Sequence, residues 1–228
     1  MTSVRTEPNR TDTERATAAD HAQTFLDWTR INSKYLTAGA VVVVIAAAGF
    51  WFYQRQAQVT AANAARALMN AKQSLSAGNP QLAQSDLQTV YTRYGSTSSG
   101  VEAAMLLAQL NFDGGKPQDG ISTLQKVEGS RAASAMAATI LSLEGDGYAQ
   151  EGKLADAAKH YESAADATGF ETEKAFYKAK AARTYQSAGD TTKARQIWSA
   201  LADDPKAQSM SAEARVRLGE LTVSTAKK

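Results

Sequence analysis

Four glycines divide most of the chain into equal lengths, and this regularity limits its possible folds more than any other feature. Each glycine is separated from the next by 37 residues, and small or apolar residues surround it at fixed offsets. Self-similarity with a period between about 20 and 50 residues is typical of repeat proteins, in which one supersecondary unit recurs. The sequence therefore predicts four copies of one unit, centred on Gly78, Gly115, Gly152 and Gly189.

The offsets around each glycine predict a pair of closely packed helices. A small residue stands seven positions before and five positions after the glycine. Two helices can approach closely only where side chains are small, and a large residue then fills the space beside the pair. That large residue comes nine positions after the glycine, at Leu87, Leu124, Tyr161 and Trp198. No segment alternates as a strand would. The predicted fold is all-α: an α-solenoid of about four helix pairs with a capping helix.

The last two units carry the pattern of a known motif. The tetratricopeptide repeat has a small residue and a Tyr in its first helix, a Gly at the turn, and small and aromatic residues in its second helix. The third unit resembles it at Gly145, Tyr148, Gly152, Ala157, Tyr161 and Ala164. The fourth unit does so at Ala182, Tyr185, Gly189, Ala194 and Trp198. The first two units are degenerate, with Ser74 and Asn111 at the Tyr position, and the period exceeds the usual length of about 34 residues.

A second feature, an uncharged apolar segment, precedes the repeats. Residues 35–53 would form a helix about 28 Å long, close to the hydrocarbon thickness of a bilayer. Tyr35 stands at one boundary, and Trp51 and Tyr53 stand at the other, as in an interfacial aromatic belt. A cleaved signal peptide and a buried core helix are the alternatives. The long leader argues against the first, and the lack of a polar face argues against the second.

These features predict four regions along the chain. A disordered polar leader covers residues 1–21, and a short amphipathic segment on the membrane surface covers 22–34. The transmembrane helix covers 35–53, and the repeat domain covers 54–228. Basic residues flank the apolar segment on both sides, so charge alone leaves the topology open.

Composition excludes several classes of function. With 25 Lys and Arg against 23 Asp and Glu, no basic excess favours nucleic acid, and the absence of Cys excludes thiolate metal sites and a cysteine nucleophile. No metal, phosphate-binding or nucleophile motif is present, so we expect no enzyme activity and no cofactor. His160 is expected to face solvent. Asp146, Asp156 and Glu162 are expected to lie on a solvated face.

The first helices of such a solenoid usually line a groove that binds proteins. A groove mixing apolar and uncharged polar residues would suit extended chains, partly folded chains or a partner's helix. The Lys and Asn clamp that holds peptide carboxylates in some of these repeats is absent. Core packing is the alternative for Met105, Phe112 and Phe176. The candidate groove comprises Met105, Gln109, Phe112, Ser142, Asp146, Gln150, Phe176, Arg183 and Gln186.

The whole layout resembles one membrane-protein family. A "FLDWTRINSKYL" lead-in, one apolar span ending in "GFWFYQRQ" and degenerate repeats with a final helix are similar to the YfgM-type ancillary subunits of the SecYEG translocon. The resemblance implies a single-pass protein of the bacterial inner membrane, with a cytoplasmic N-terminus and a periplasmic repeat domain. It implies as partners the translocon, a membrane-anchored periplasmic chaperone and unfolded clients. A scaffold for cell division or envelope assembly is the alternative.

Overall fold

The architecture of the described residues is entirely helical. A computed structural model describes residues 33–226, with the side chains of all but 36, 40 and 223–226. No strand occurs in this range, as the sequence predicts. In chain order the helices are α1 (Ser33–Ser76), α2 (Pro80–Tyr94), α3 (Ser98–Asp113), α4 (Pro117–Val127), α5 (Arg131–Ser134), α6 (Ala137–Gln150), α7 (Leu154–Ala167), α8 (Glu171–Ser187), α9 (Thr191–Asp203) and α10 (Gln208–Ala226).

The chain divides into two compact parts, Met1–Gln58 and Val59–Lys228. In the first, helix α1 contains an 18-residue apolar window of which none is buried. Its length and composition make it a candidate membrane span. Tyr35, Trp51 and Tyr53 are all exposed, and the guanidinium of Arg55 lies 5.7 Å from the Trp51 ring. The predicted leader 1–21 and nearly all of the predicted segment 22–34 lie outside the described residues.

The second part, the repeat domain, contains the four predicted helix pairs. The last turns of α1 pair with α2, and the pairs α3 and α4, α6 and α7, and α8 and α9 follow, with α10 at the end. We call the helix before each glycine helix A and the helix after it helix B. One element was not predicted. The short helix α5 lies in the connection between the second and third units.

All four predicted glycines occupy the same turn. Each has a positive φ, between 70° and 83°, where a side chain is strained. In every case the glycine N–H donates to the carbonyl three residues earlier, and the next N–H donates to the carbonyl five residues before it. In the third unit these bonds join Gly152 to Ala149 and Lys153 to Tyr148. This pair of bonds is the Schellman motif, which ends a helix by satisfying its last carbonyls. Helix A therefore stops at the same relative position in each unit.

The first testable consequence concerns this turn. Gly152→Ala places a Cβ on a left-handed residue, so the free energy of unfolding should fall by about 1–2 kcal/mol. Denaturant titration of the full chain in detergent would measure this fall. Gly169→Ala is the matched control, because Gly169 has open space around it and lies outside the left-handed region. Equal effects of the two substitutions would contradict the assigned role of Gly152.

The predicted small and large positions form the core. The small residues seven before and five after each glycine are buried, and so are the four large residues nine after it. The third unit shows the closest approach, because a Cβ built on Gly145 would lie only 2.4 Å from Cε1 of Tyr161. The sequence pattern therefore reports a physical contact between helix A and helix B.

A second prediction tests that contact. Gly145→Ala should destabilise the domain by about 1–3 kcal/mol, because the added methyl overlaps the Tyr161 ring. Gly219→Ala, on α10 with nothing within contact distance, should instead stabilise it by up to about 1 kcal/mol through helix propensity. The two variants would be compared by chemical unfolding of the full chain. A stabilised Gly145→Ala variant would show that helices A and B do not touch there.

Candidate functional site

The structure separates the candidate groove residues into buried and accessible ones. Phe112 and Ser142 are buried, which leaves neither side chain open to a partner. The Phe112 ring packs on Gly120 and Gly147, so Phe112 is a core residue and not a groove residue. Those at least partly accessible are Met105, Gln109, Asp146, Gln150, Phe176, Arg183 and Gln186.

Three pairs of charged residues connect the A helices, or the capping helix, across unit boundaries. Lys72 on α1 pairs with Glu102 on α3 at 2.5 Å, and Arg183 on α8 pairs with Glu213 on α10. Both pairs join residues 30 positions apart, so they are equivalent in the repeat. Asp146 on α6 pairs with Lys180 on α8 at 2.7 Å. These charges therefore bridge neighbouring units and are not free for a partner.

Lys180 is the centre of the polar network on the third and fourth units. Its Nζ lies 2.7 Å from Oδ1 of Asp146, donates to Oγ of Ser142 at 3.2 Å, and lies 4.5 Å from the centroid of the Tyr161 ring. The Tyr161 hydroxyl donates to the same Asp146 oxygen at 2.7 Å. Burial is the main cause that raises the pKa of Tyr161, and the hydrogen bond to Asp146 raises it further. One lysine thus contacts helix A and helix B of the preceding unit.

A bidentate ion pair joins the capping helix α10 to α8. Nε and Nη2 of Arg183 donate to the two carboxylate oxygens of Glu213 at 2.7 and 2.5 Å. Hydrogen bonding to Arg183 lowers the pKa of Glu213, and the same bond raises the pKa of Arg183. Two parallel bonds fix geometry better than one, because a planar guanidinium matches a carboxylate. The predicted groove residue Arg183 is therefore an inter-unit contact.

The residue four positions before each glycine contacts a helix B, that of its own unit in the first and third units and that of the preceding unit in the second and fourth. Ser74 donates to Asp86, and Asn111 accepts from Gln84. In the third unit Tyr148 occupies this position and stacks on His160, with ring centroids 4.8 Å apart. In the fourth, the Tyr185 hydroxyl donates at 2.6 Å to Glu162, which belongs to helix B of the preceding unit. The sequence comparison counted Ser74 and Asn111 only as departures from the consensus Tyr, and it did not reveal that both hydrogen-bond to a helix B.

The prediction that His160 faces solvent is wrong. Its ring is half-buried between Tyr148 and Glu144, and its Nδ1 lies 3.2 Å from Oε2 of Glu144. Burial lowers the pKa of His160 and raises that of Glu144 to about 7. Glu144 was not predicted as a site residue. The only sequence signal was an acidic residue between Leu143 and Gly145 on the inward face of helix A.

Of the three carboxylates predicted to lie on a solvated face, only one does so without a contact to another helix. Asp156 is exposed and pairs with Lys159 within its own helix, as expected for a solvated face. Asp146 and Glu162 instead accept hydrogen bonds from the tyrosine hydroxyls described above. Each of these two carboxylates lies at the border of a helix–helix contact. Helical periodicity alone does not distinguish such a border position from a position on a solvated face.

Within residues 33–226, no group of three or more His, Asp or Glu side chains is placed to hold a metal ion. Three of the seven accessible residues of the candidate groove are glutamines, and Phe176 adds a half-exposed ring. Among the described side chains, the amides of Gln109, Gln150 and Gln186 make no hydrogen bond to the chain. Such amides can donate and accept hydrogen bonds with a main chain. These three amides therefore have donors and acceptors that the domain itself does not use.

The fold and this surface define a class: an all-α repeat protein of paired helices. The sequence profile of the tetratricopeptide repeat-like domain matches residues 27–141, just over half of the chain. The chain belongs to the tetratricopeptide repeat-like domain family. Such domains are typically non-catalytic scaffolds for protein–protein interaction. A search of curated proteins finds no significant match.

The matched range differs from the one that the consensus residues indicate. It takes in the apolar part of α1 and the first two units, and it ends early in α6. The units with the clearest consensus, the third and fourth, lie mostly beyond it. The recurrent turn and buried contacts show that all four units share one design.

A third prediction compares two inter-unit ion pairs. A double-mutant cycle of Arg183→Gln with Glu213→Gln should give a coupling free energy on the order of 0.5–1 kcal/mol, because the pair is bidentate and part-buried. The more exposed pair Lys72 and Glu102 should couple less strongly in the same cycle. Thermal or denaturant unfolding of the full chain measures both. A larger coupling for Lys72 and Glu102 would contradict this ranking.

Proposed function

We propose that the protein is a membrane-anchored scaffold that acts as an ancillary subunit of the Sec translocon, linking secreted clients to envelope chaperones. The observation that carries the proposal is the combination of an exposed apolar helix with a helical repeat domain in one chain. The family profile supports this combination, since its match runs through both. Residues 35–53 would anchor the chain, and residues 54–228 would bind partners.

The surface chemistry favours polypeptide clients in an extended or partly folded state. Several charges of the A helices are engaged in pairs between units, such as Asp146 with Lys180. Gln109 and Gln150 are exposed, and Phe176 is 45% exposed. Amides satisfy main-chain groups of any sequence, and an exposed ring adds apolar contact without selecting a charge. Recognition of this kind suits a partner that meets many different clients.

A fourth prediction tests the location and partners together. Alkaline phosphatase fused after Lys228 should be active, and a green fluorescent protein fused there should stay dark, because the repeat domain would lie in the periplasm. The tagged full chain, extracted gently from membranes, should copurify with SecY-type subunits. A fluorescent green fluorescent protein fusion, together with an inactive phosphatase fusion, would place the repeat domain in the cytoplasm and reject the translocon role. Copurification with cell-division or envelope-assembly proteins alone would favour that other class of scaffold.

The groove is tested separately by photocrosslinking in the full membrane-bound chain. A crosslinker at Gln109 or Gln150 should capture partner proteins, because both side chains are exposed on A helices. Gln125, an exposed glutamine on helix B of the second unit, is the matched control. If Gln125 captures the same partners and the groove positions capture none, the binding surface lies on the B helices.

A further inference from the structure

Two lysines of α8 are partly withdrawn from water without a partner. Among the described lysines, the part-buried ones are Lys174, Lys178 and Lys180, and all the others are exposed. Nζ of Lys180 is paired with Asp146. Neither Lys174 nor Lys178 forms an ion pair, a hydrogen bond or a ring contact with any group that the structure describes. Charged side chains are seldom buried unless they are paired, so these two ammonium groups are unusual.

Both lysines line one cleft of about 320 Å³ in the fourth unit. The cleft lies between α8, the end of α9 and the turn that leads into α10. Its floor is apolar, because Ala175, Leu201 and Ala207 line it and are each no more than 3% exposed. Lys174 and Lys178 are four residues apart, so their side chains lie on the same side of α8, one turn from each other. The cleft therefore combines an apolar floor with two adjacent cations.

The other charged groups of this cleft are already engaged with one another. Nζ of Lys206 lies 3.3 Å from Oε1 of Glu171, and Oδ1 of Asp204 accepts the backbone N–H of Lys206 at 2.8 Å. With three lysines against two acidic residues, the lining keeps an excess of one positive charge. Because Lys206 is the lysine that the acids hold, this excess lies on α8.

The two lysines of α8 also repel each other. Like charges four residues apart on a helix are unfavourable, because their side chains are neighbours on its surface. Lys178 borders a smaller cleft with Glu162 and Asp166, yet it pairs with neither of these described carboxylates, and the Tyr185 hydroxyl donates to Glu162. A carboxylate placed between the two ammonium groups pairs with both and removes their repulsion. The ligand that suits this part of α8 is therefore an anion.

We propose that this cleft binds a partner polypeptide through an extended segment in which an acidic side chain stands two positions from an apolar one. Side chains two positions apart in an extended chain point to the same side. The carboxylate then bridges the ammonium groups of Lys174 and Lys178, and the apolar side chain covers the floor formed by Ala175, Leu201 and Ala207. Charge complementarity and the apolar floor together favour such a segment over a simple anion.

The cleft is a second binding surface, distinct from the candidate groove. None of the candidate groove residues lines it. The amides of the groove suit main-chain groups of any sequence, whereas the cleft selects a partner by charge. A partner could therefore be held by its sequence at one surface while the other surface contacts extended chain.

Nuclear magnetic resonance of methylated lysines tests the proposal at the site itself. The full chain in an uncharged detergent would carry carbon-13 methyl groups on its lysines, a change that keeps their charge. The probe is the peptide Gly-Leu-Ser-Asp-Gly, acetylated and amidated so that its only charge is the aspartate. The control peptide has Asn in place of Asp. Titration to about 10 mM detects a dissociation constant in the millimolar range.

The signals of Lys174 and Lys178 should shift and saturate with the acidic peptide, and the control peptide should bind on the order of tenfold more weakly. Lys174→Gln and Lys178→Gln assign the two signals, and each should reduce the affinity for the acidic peptide severalfold. The matched control is the double variant Lys116→Gln with Lys126→Gln, which removes two exposed charges of the second unit that have no described partner. It should leave the affinity unchanged.

Four outcomes would overturn the proposal. They are the absence of any shift, equal affinity for the two peptides, equal shifts at Lys116 and Lys126, and shifts that follow the chain concentration without peptide. The last would assign the cleft to a second copy of the chain. Thermal unfolding of each variant verifies that it is folded. The titration contains no translocon component, so its outcome is independent of the proposed function.

Discussion

The close crossing of helices A and B is the constraint on which the rest of the domain depends. At Gly145 the neighbouring ring leaves no room even for a methyl group, and the equivalent positions in the other units hold buried alanines. Small residues let the two backbones approach, and the large residue of helix B then fills the gap. The Schellman turn fixes where helix A stops, so the crossing occurs at the same place each time. Repetition of this contact produces the stack of units.

The units are joined by two kinds of contact. Bridging charges connect neighbouring A helices or the capping helix at three boundaries, and the Tyr185 hydroxyl bonded to Glu162 also ties the last two units together. The boundary between the second and third units has apolar packing in their place. Neighbouring units stabilise one another, so the contacts at each boundary decide how far a solenoid moves as one body. The boundary between the second and third units also adjoins the amides of the candidate groove.

The same arrangement shapes what the surface can bind. Where charges of the A helices pair with one another, amide groups and a few apolar side chains are left beside them for a partner. Gln109 and Gln150 illustrate this, because both are exposed on A helices while Asp146, between them in sequence, is held by Lys180 and Tyr161. Such a surface recognises chain segments by their shared main-chain chemistry more than by their charge. This fits the scaffold character of the family.

The sequence alone determined the all-α class, the four units and the residues at each helix crossing, because a positive φ and a close approach restrict residue type locally. It also indicated a helix through the apolar segment, which the structure shows to be part of the longer helix α1. Only the tertiary structure decided which polar residues face a partner helix: Phe112 and Ser142 proved buried, Arg183 bonds Glu213, and His160 lies against Glu144. Those contacts join residues up to a full repeat apart, and helical periodicity gives a residue's face but not what lies opposite it.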